Sequence, residues 1–200
     1  MDTFEAISSR RSIKNFDKNH KMSKHEIMKL LEFAILSPTS YNIQNWRFVV
    51  ITDQVLKDKL SELSYGQKQV TESSLVIVLC ADLKSWNKNP ERYWINIPEE
   101  PRKTLVNSMR NSYDGKSQLQ RDEAMRSCGM AAQTIMLAAK SMGYDTCPMK
   151  GFDYDKVSEL INLPADHVIS MMVVVGKATK PASSRGGQLP LSEIMFENHF

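Results

Sequence analysis

The run Leu75-Val76-Ile77-Val78-Leu79-Cys80-Ala81 (LVIVLCA) is the longest unbroken apolar stretch of the sequence, and it decides the fold. Its apolar residues do not alternate with polar ones, which is typical of a strand whose two faces are both covered. We therefore expect residues 75–81 to form the central strand of a sheet. Seven apolar residues are far too few to cross a bilayer, so the sequence predicts no membrane segment.

Two further apolar stretches predict additional strands. Residues 47–52 (RFVVIT) and 168–176 (VISMMVVVG) are short and rich in β-branched residues. The segments between them have the periodicity of helices, and several of these are longer than any of the strands. Because the strands are few and the helices long, the pattern favours an α+β sandwich over a doubly wound parallel sheet.

The helices are marked by their caps. Asp2 followed by Glu5 predicts a helix near the N-terminus, and Ser23 with Glu26 forms a capping box for a second helix that Pro38 stops. Further helices are predicted over residues 55–63, 99–113, 121–142 and 155–162, with Gly143 as the C-cap of the third. That third helix is the longest, and its many small residues would let another helix approach closely.

Length and composition limit the class of protein. The 200 residues suffice for one globular domain over residues 1–200, in which the poorly patterned residues 84–118 are interpreted as a variable insertion. The 26 basic and 23 acidic side chains are interspersed, so a nucleic acid is an unfavoured partner. The three cysteines have no metal-ligand spacing, and with no signal peptide they predict a cytoplasmic protein without a metal site. No Rossmann or Walker A motif occurs.

Two cation-rich loops are candidates for binding a phosphate group. Residues 10–14 (RRSIK) place three cations and a hydroxyl at the end of the first helix, and residues 180–188 (KPASSRGGQ) combine cations with glycines. Arginine can bind two phosphate oxygens in its planar fork, and serine adds a neutral donor. A solvated helix end and a flexible tail are the alternative interpretations of these two segments.

Two polar loops are candidates for contacting a flat heterocycle. Residues 38–46 (PTSYNIQNW) carry six side chains with hydroxyl or amide groups, more than a plain turn needs. Residues 147–153 (CPMKGFD) are predicted as a connection after the long helix, in which Pro148 and Gly151 leave backbone N–H groups free for a ligand. A connection capped by Asp153 is the alternative for this second loop.

Together, and in their order along the chain, these segments resemble the FMN-dependent nitroreductase family. They are RRSIKNF, SPTSYNIQNW, CPMKGFD and SSRGGQLPLSEI, and the resemblance covers nearly the whole chain apart from residues 84–118. It implies a three-layer α/β/α sandwich with a central, mostly antiparallel sheet. It also implies an intertwined homodimer with FMN at the subunit interface, and NADH or NADPH as the electron donor.

The resemblance further implies which residues bind the phosphate and the pyrimidine edge of FMN. Arg10, Ser12 and Arg185 would hold the phosphate, with Arg11 reinforcing them. Lys14 would lie near N1 and O2 of the flavin. A cation at that edge stabilises the negative charge that two-electron reduction places there.

Other residues would contact the flavin ring by the same resemblance. A loop of the other subunit would cover the ring with Pro38, Thr39, Ser40 and Asn42. Gln67 and Gln69 match positions that bind the ring edge or the ribityl chain. Along the ring would lie Pro148, Met149, Lys150 and Gly151, with a backbone N–H near N5. Lys150 departs from well-known members, which often have an acidic residue at its position.

The reaction that the resemblance implies is a ping-pong hydride transfer from NADH or NADPH, through N5 of FMN, to an electron-poor acceptor such as a nitroaromatic compound or a quinone. No catalytic side chain is expected, because the flavin carries the chemistry. Tyr41, Trp94 and Phe152 are candidates for the wall of the acceptor pocket, and residues 84–118 for a lid. Two alternatives remain: a flavin store or redox regulator without turnover, and a divergent member such as a reductive dehalogenase.

Overall fold

The central strand lies where the apolar run predicts it. The computed structural model describes all 200 residues. Its four strands form one antiparallel sheet in the order β1-β2-β4-β3, with β1 at Trp46–Ile51, β2 at Leu75–Asp82, β3 at Asp145–Met149 and β4 at His167–Gly176. Every residue of β2 is buried, and the strand is hydrogen-bonded along both edges. The prediction of a central strand is therefore confirmed.

Eight helices surround this sheet. They are α1 at Thr3–Ser9, α2 at Lys24–Ala34, α3 at Gln54–Leu63, α4 at Lys68–Glu72, α5 at Glu99–Tyr113, α6 at Ser117–Ser141, α7 at Tyr154–Leu160 and α8 at Leu191–Ile194. The capping box of Ser23 and Glu26 is present at α2, and Gly143 follows α6 with a φ of +77°. α6 begins four residues earlier than predicted, because its first turn is polar and lacks the apolar periodicity. No helix has both the length and the apolar character needed to cross a membrane.

Two core clusters cover opposite faces of the sheet. The odd-numbered residues of β2 from Leu75 to Ala81 pack with α2 and α6, and the even-numbered residues from Val76 to Cys80 pack with α3, α4 and α7. This alternation follows from the period of two along a strand. The chain thus forms the α/β/α sandwich with an antiparallel sheet that the resemblance implies.

β3 corrects the interpretation of residues 147–153 as a plain connection. Cys147, Pro148 and Met149 continue the strand and pair with β4. Pro148 weakens the strand signal in the sequence, because proline has no backbone N–H to donate. β3 lies at an edge of the sheet, where proline is tolerated.

Residues 84–118 pack against the loop at residues 38–46. A small core cluster joins Ile43 of the loop to Trp86, Tyr93, Met109 and Tyr113. The segment contains a 3₁₀ turn at Pro90–Trp94 and the helix α5, whose bounds match the prediction. These contacts place the insertion beside one of the polar loops that sequence analysis singles out.

Candidate functional site

The cations at residues 10–14 are held beside the edge strand β3. α1 ends at Ser9, and the chain then runs along β3, where Ile13 N–H donates to the Thr146 carbonyl at 3.0 Å. Ser12 forms a parallel bridge with the same threonine. This pairing fixes the backbone of residues 10–14 next to the strand that leads to Met149.

A cavity of about 340 Å³ joins these cations to the C-terminal tail. No hydrophobic residue lines it; the lining residues are Arg10, Arg11, Ser12, Lys14, Ser183, Ser184, Arg185, Gly186, Gly187 and Gln188. Arg185 donates to the Ser8 carbonyl at 2.9 Å, and Arg11 donates to the Ser183 carbonyl, so the tail is tied to the end of α1. The lining has four cations and no carboxylate, and none of the four forms a salt bridge.

Arg10 gives the clearest indication of what this cavity binds. Its Nη1 atom is buried and has no hydrogen-bond partner. A buried donor without a partner costs roughly 1–3 kcal/mol, which a ligand acceptor would recover. A phosphate monoester brings several acceptor oxygens and negative charge into a cavity that has no acid of its own. The residues present therefore fit the phosphate of a cofactor such as FMN.

A second polar group lies at the end of β3. Gln67 Nε2 donates to the Gly151 carbonyl at 2.9 Å, and Gln69 Nε2 donates to Oε1 of Gln67 at 2.8 Å and lies 3.8 Å from Sδ of Met149. The N–H groups of Lys150 and Gly151 make no hydrogen bond within the chain. The glutamines thus hold a short segment whose two free donors are available to a ligand.

The loop at residues 38–46 is anchored by hydrogen bonds to other parts of the chain. Ser40 N–H donates to Oε1 of Glu123 on α6 at 3.2 Å, and Asn42 Nδ2 donates to the Tyr93 carbonyl at 2.7 Å. No hydrogen bond joins the loop to residues 10–14 or to Gln67.

The backbone of this loop is strained. Tyr41, Asn42 and Gln44 all have left-handed φ angles, of 51°, 48° and 43°. Left-handed backbone is unfavourable for residues other than glycine and persists only where surrounding contacts enforce it. Here the Tyr41 hydroxyl lies 2.9 Å from Oγ of Ser112 on α5, and the Tyr41 ring meets Tyr113 edge-on with centroids 6.1 Å apart. Burial raises the pKa of the Tyr113 hydroxyl above its ordinary value, so this side chain stays uncharged.

Comparison with known proteins identifies the family. The Nitroreductase family profile matches residues 7–177. The chain belongs to the nitroreductase family. It is 50% identical to protein DrgA of Synechocystis sp. (98% of this chain, 95% of that protein) and 34% identical to the putative NAD(P)H nitroreductase YodC of Bacillus subtilis (96% and 97%). A putative nitroreductase from Exiguobacterium sibiricum, solved in complex with FMN, superimposes with a TM-score of 0.91 at 33% identity (98% and 97% covered).

The three side chains predicted to line the acceptor pocket of this nitroreductase have different environments. Tyr41 is 37% exposed in the strained loop, and Trp94 is half-buried with its ring edge-on to Tyr93. Phe152 is only 3% exposed, and its ring lies 4.2 Å from that of Tyr154. Phe152 therefore packs in a core cluster of the chain, and its place in the wall of the acceptor pocket stays a prediction.

The carboxylate that holds the polar loop of the nitroreductase is not evident from the sequence. Glu123 is buried, and besides Ser40 N–H it accepts hydrogen bonds from the Ser127 hydroxyl at 3.1 Å and from Nε of Arg126 at 3.1 Å. The i,i+3 spacing of Glu123 and Arg126 was visible in the sequence, but such pairs usually lie on a solvated face. Only the tertiary structure reveals the contact with Ser40.

A second missed group holds the base of residues 84–118. Lys88 Nζ lies 2.9 Å from Oδ2 of buried Asp82 and 2.6 Å from Oδ2 of Asp166. Its proximity lowers the pKa of Asp166 to about 2, with the help of His167. Ligand atoms of Asp82, Asp166 and His167 lie within 4.8 Å of one another, but the Lys88 ammonium already supplies the cation. This cluster therefore attaches the insertion to the ends of β2 and β4.

Proposed function

We propose that this nitroreductase-family chain is an FMN-dependent oxidoreductase that takes a hydride from NADH or NADPH and passes electrons to a nitroaromatic compound, a quinone or a similar electron-poor acceptor. The observation that carries the proposal is the cavity lined by four cations and no acid, one of which, Arg10, has a buried Nη1 atom without a hydrogen-bond partner. The FMN complex of the Exiguobacterium relative and the NAD(P)H nitroreductase names of other relatives support the choice of cofactor and donor.

The residues of the cavity would hold the phosphate, and those at the end of β3 would hold the ring. Arg10, Arg11, Ser12 and Arg185 supply charge and hydrogen-bond donors to the phosphate, and Lys14 supplies a cation toward the pyrimidine edge. When bound, FMN supplies the centre that accepts the hydride and delivers electrons to the acceptor.

The segment that Gln67 and Gln69 fix would orient the flavin. The free N–H groups of Lys150 and Gly151 would donate toward the ring edge, where such dipoles would stabilise negative charge on the reduced form. Pro148 and Met149, in the preceding strand, give this segment a rigid support. No side chain of the chain needs to act as a nucleophile or a strong acid in this scheme.

We further propose that the active unit is a homodimer in which the loop at residues 38–46 covers the flavin of the partner subunit. The loop makes no hydrogen bond to the phosphate cavity of its own chain. Apolar side chains also lie exposed on α1, at the end of α2 and along the tail: Phe4, Ile7, Phe33, Leu36, Leu189, Leu191, Ile194, Met195, Phe196 and Phe200. Large exposed apolar surface is typical of an interface, and a second copy of the chain would cover it. In this arrangement residues 84–118, which pack on the loop, would close over the site.

Removal of the cations tests the phosphate assignment. Arg10→Ala and Arg185→Ala should each lose bound FMN while keeping their circular dichroism spectra, whereas Arg121→Ala, an exposed arginine on α6, should keep FMN. Unchanged flavin content in both cavity variants would refute the assignment. Anaerobic NADH or NADPH should bleach the yellow wild-type protein, and an acceptor should restore the colour. Yellow protein that neither donor bleaches would instead favour a flavin store without turnover.

A further inference from the structure

Lys150 is the one cation of the candidate site that the phosphate cavity does not account for. It follows Met149 at the end of β3, and the residues on either side of it are held by glutamines: Gln69 contacts Met149, and Gln67 donates to the Gly151 carbonyl. The backbone at Lys150 is therefore fixed. Its own side chain is exposed and makes no hydrogen bond or salt bridge.

The acidic group nearest to Lys150 in the sequence, Asp153, is engaged elsewhere. Asp153 caps α7 by accepting from Lys156 N–H at 3.1 Å, and it also forms a salt bridge with Lys156 Nζ at 3.4 Å. These contacts lower the pKa of Asp153, so it stays ionised and engaged with that helix. The Lys150 ammonium is thus a charge directed to solvent or to a ligand.

The charge balance of the proposed site favours an anionic ligand beyond the cofactor. The residues proposed to bind FMN include five cations and no acid, the cations being Arg10, Arg11, Lys14, Lys150 and Arg185. A phosphate monoester carries a charge of about −2 at neutral pH and so balances only part of this set. The four other cations line the phosphate cavity, whereas Lys150 lies outside it at the end of β3.

We propose that Lys150 makes the site selective for flat aromatic acceptors that carry a carboxylate close to the ring. The inference rests on the proposed function, which places the acceptor over the flavin beside residues 148–151. An exposed ion pair contributes up to about 1 kcal/mol, which corresponds to a preference of up to about fivefold. The effect is one of selectivity, because a charged group near the binding face attracts anions and repels cations.

The test compares 4-nitrobenzoate with 4-nitrobenzamide, which has nearly the same shape but no charge. The measured quantity is the rate at which 4-nitrobenzoate reoxidises the pre-reduced holoprotein, divided by the rate with 4-nitrobenzamide. The intrinsic reactivity of the two compounds is the same for every variant, so a change in this ratio between variants reports the effect of the substitution. Relative to wild type, the ratio should fall about threefold in Lys150→Met and about tenfold in Lys150→Glu. Lys29→Glu, an exposed lysine on α2 in the opposite layer without a polar partner, makes the same charge change and should leave the ratio unaltered.

A binding measurement without turnover provides the second readout. Benzoate and benzamide are titrated into the oxidised holoprotein, and the change in flavin absorbance gives each dissociation constant. The preference for benzoate should follow the same order of variants and should shrink at high salt, because added ions screen exposed charges.

The outcomes separate this inference from the proposed function. A wild-type protein without FMN, or one whose flavin neither NADH nor NADPH reduces, would remove the proposed function and this inference with it. A wild-type protein that reduces both compounds, with the same ratio and the same benzoate preference in Lys150→Met and Lys150→Glu, would overturn the role of Lys150 alone.

Discussion

Replacement of Glu26 by glutamine should destabilise the protein at neutral pH but not in acid. The carboxylate accepts hydrogen bonds from Ser23 N–H at 2.8 Å, from the Ser23 hydroxyl at 2.7 Å and from the Tyr144 hydroxyl at 2.7 Å. The bonds from Ser23, and next that from Tyr144, lower the pKa of Glu26 from its ordinary 4.5 to about 2. At about 1.4 kcal/mol per pKa unit, ionisation contributes at most about 3 kcal/mol. Solvent contact at the helix end screens the charge, so we expect Glu26→Gln to lower the free energy of unfolding by about 1–2 kcal/mol at neutral pH.

The dependence on pH is the decisive part of this prediction. Because the pKa of Glu26 is lower in the folded state, its contribution is complete above the unfolded value of 4.5 and is lost as the pH falls toward 2. Urea unfolding at fixed protein concentration gives the free energy of unfolding of wild type and of Glu26→Gln at each pH. The two values should therefore converge as the pH falls. Glu32→Gln, on the exposed side of the same helix and without polar contacts, is the matched control. If the free energy of unfolding of Glu26→Gln stays below that of wild type by the same amount from neutral pH to about pH 3, the reasoning is refuted.

Two further substitutions test buried charges. Lys57 is fully buried on α3 and donates to the Ser73 carbonyl at 2.6 Å, and burial lowers its pKa. The free energy of unfolding of the wild type should therefore rise relative to that of Lys57→Met as the pH increases toward 10.5. Lys59→Met, on the exposed face of the helix, should show the same pH dependence as wild type. Parallel curves for Lys57→Met would contradict this. Glu123→Gln should lower the free energy of unfolding by about 2–3 kcal/mol and should speed hydrogen exchange at the Ser40 amide, because Glu123 accepts a hydrogen bond from it. Asp122→Asn should have neither effect. If exchange at Ser40 is slow in both variants, the anchoring contact is refuted.

Local signals account for the parts of the fold that the sequence predicts. The apolar run of β2 has no polar residue that would allow an exposed face, and Ser23 with Glu26 specifies a helix start through neighbouring atoms only. The bounds of α5 are predictable for the same reason, since a helix depends on contacts three and four residues apart. Such features do not require knowledge of the remaining chain.

The features that the sequence does not reveal depend on distant residues. β3 contains Pro148 and forms a strand only because β4 lies beside it. The roles of Lys88 and Glu123 arise from contacts with Asp166 and Ser40, which are 78 and 83 residues away along the chain. Charged side chains of this kind are common on solvated helix faces, so residue type and spacing alone could not separate the two environments.

The strained loop shows how these distant contacts bear on the proposed function. Tyr41, Asn42 and Gln44 keep left-handed backbone because contacts with α5, α6 and the 3₁₀ turn at Pro90–Trp94, all from the same chain, hold the loop. Contacts within one chain therefore hold the loop in this conformation. A loop that is already ordered loses little conformational entropy when it covers a ligand. In the proposed homodimer, the free energy of FMN binding would then be spent on contacts with the phosphate and the ring rather than on folding the loop.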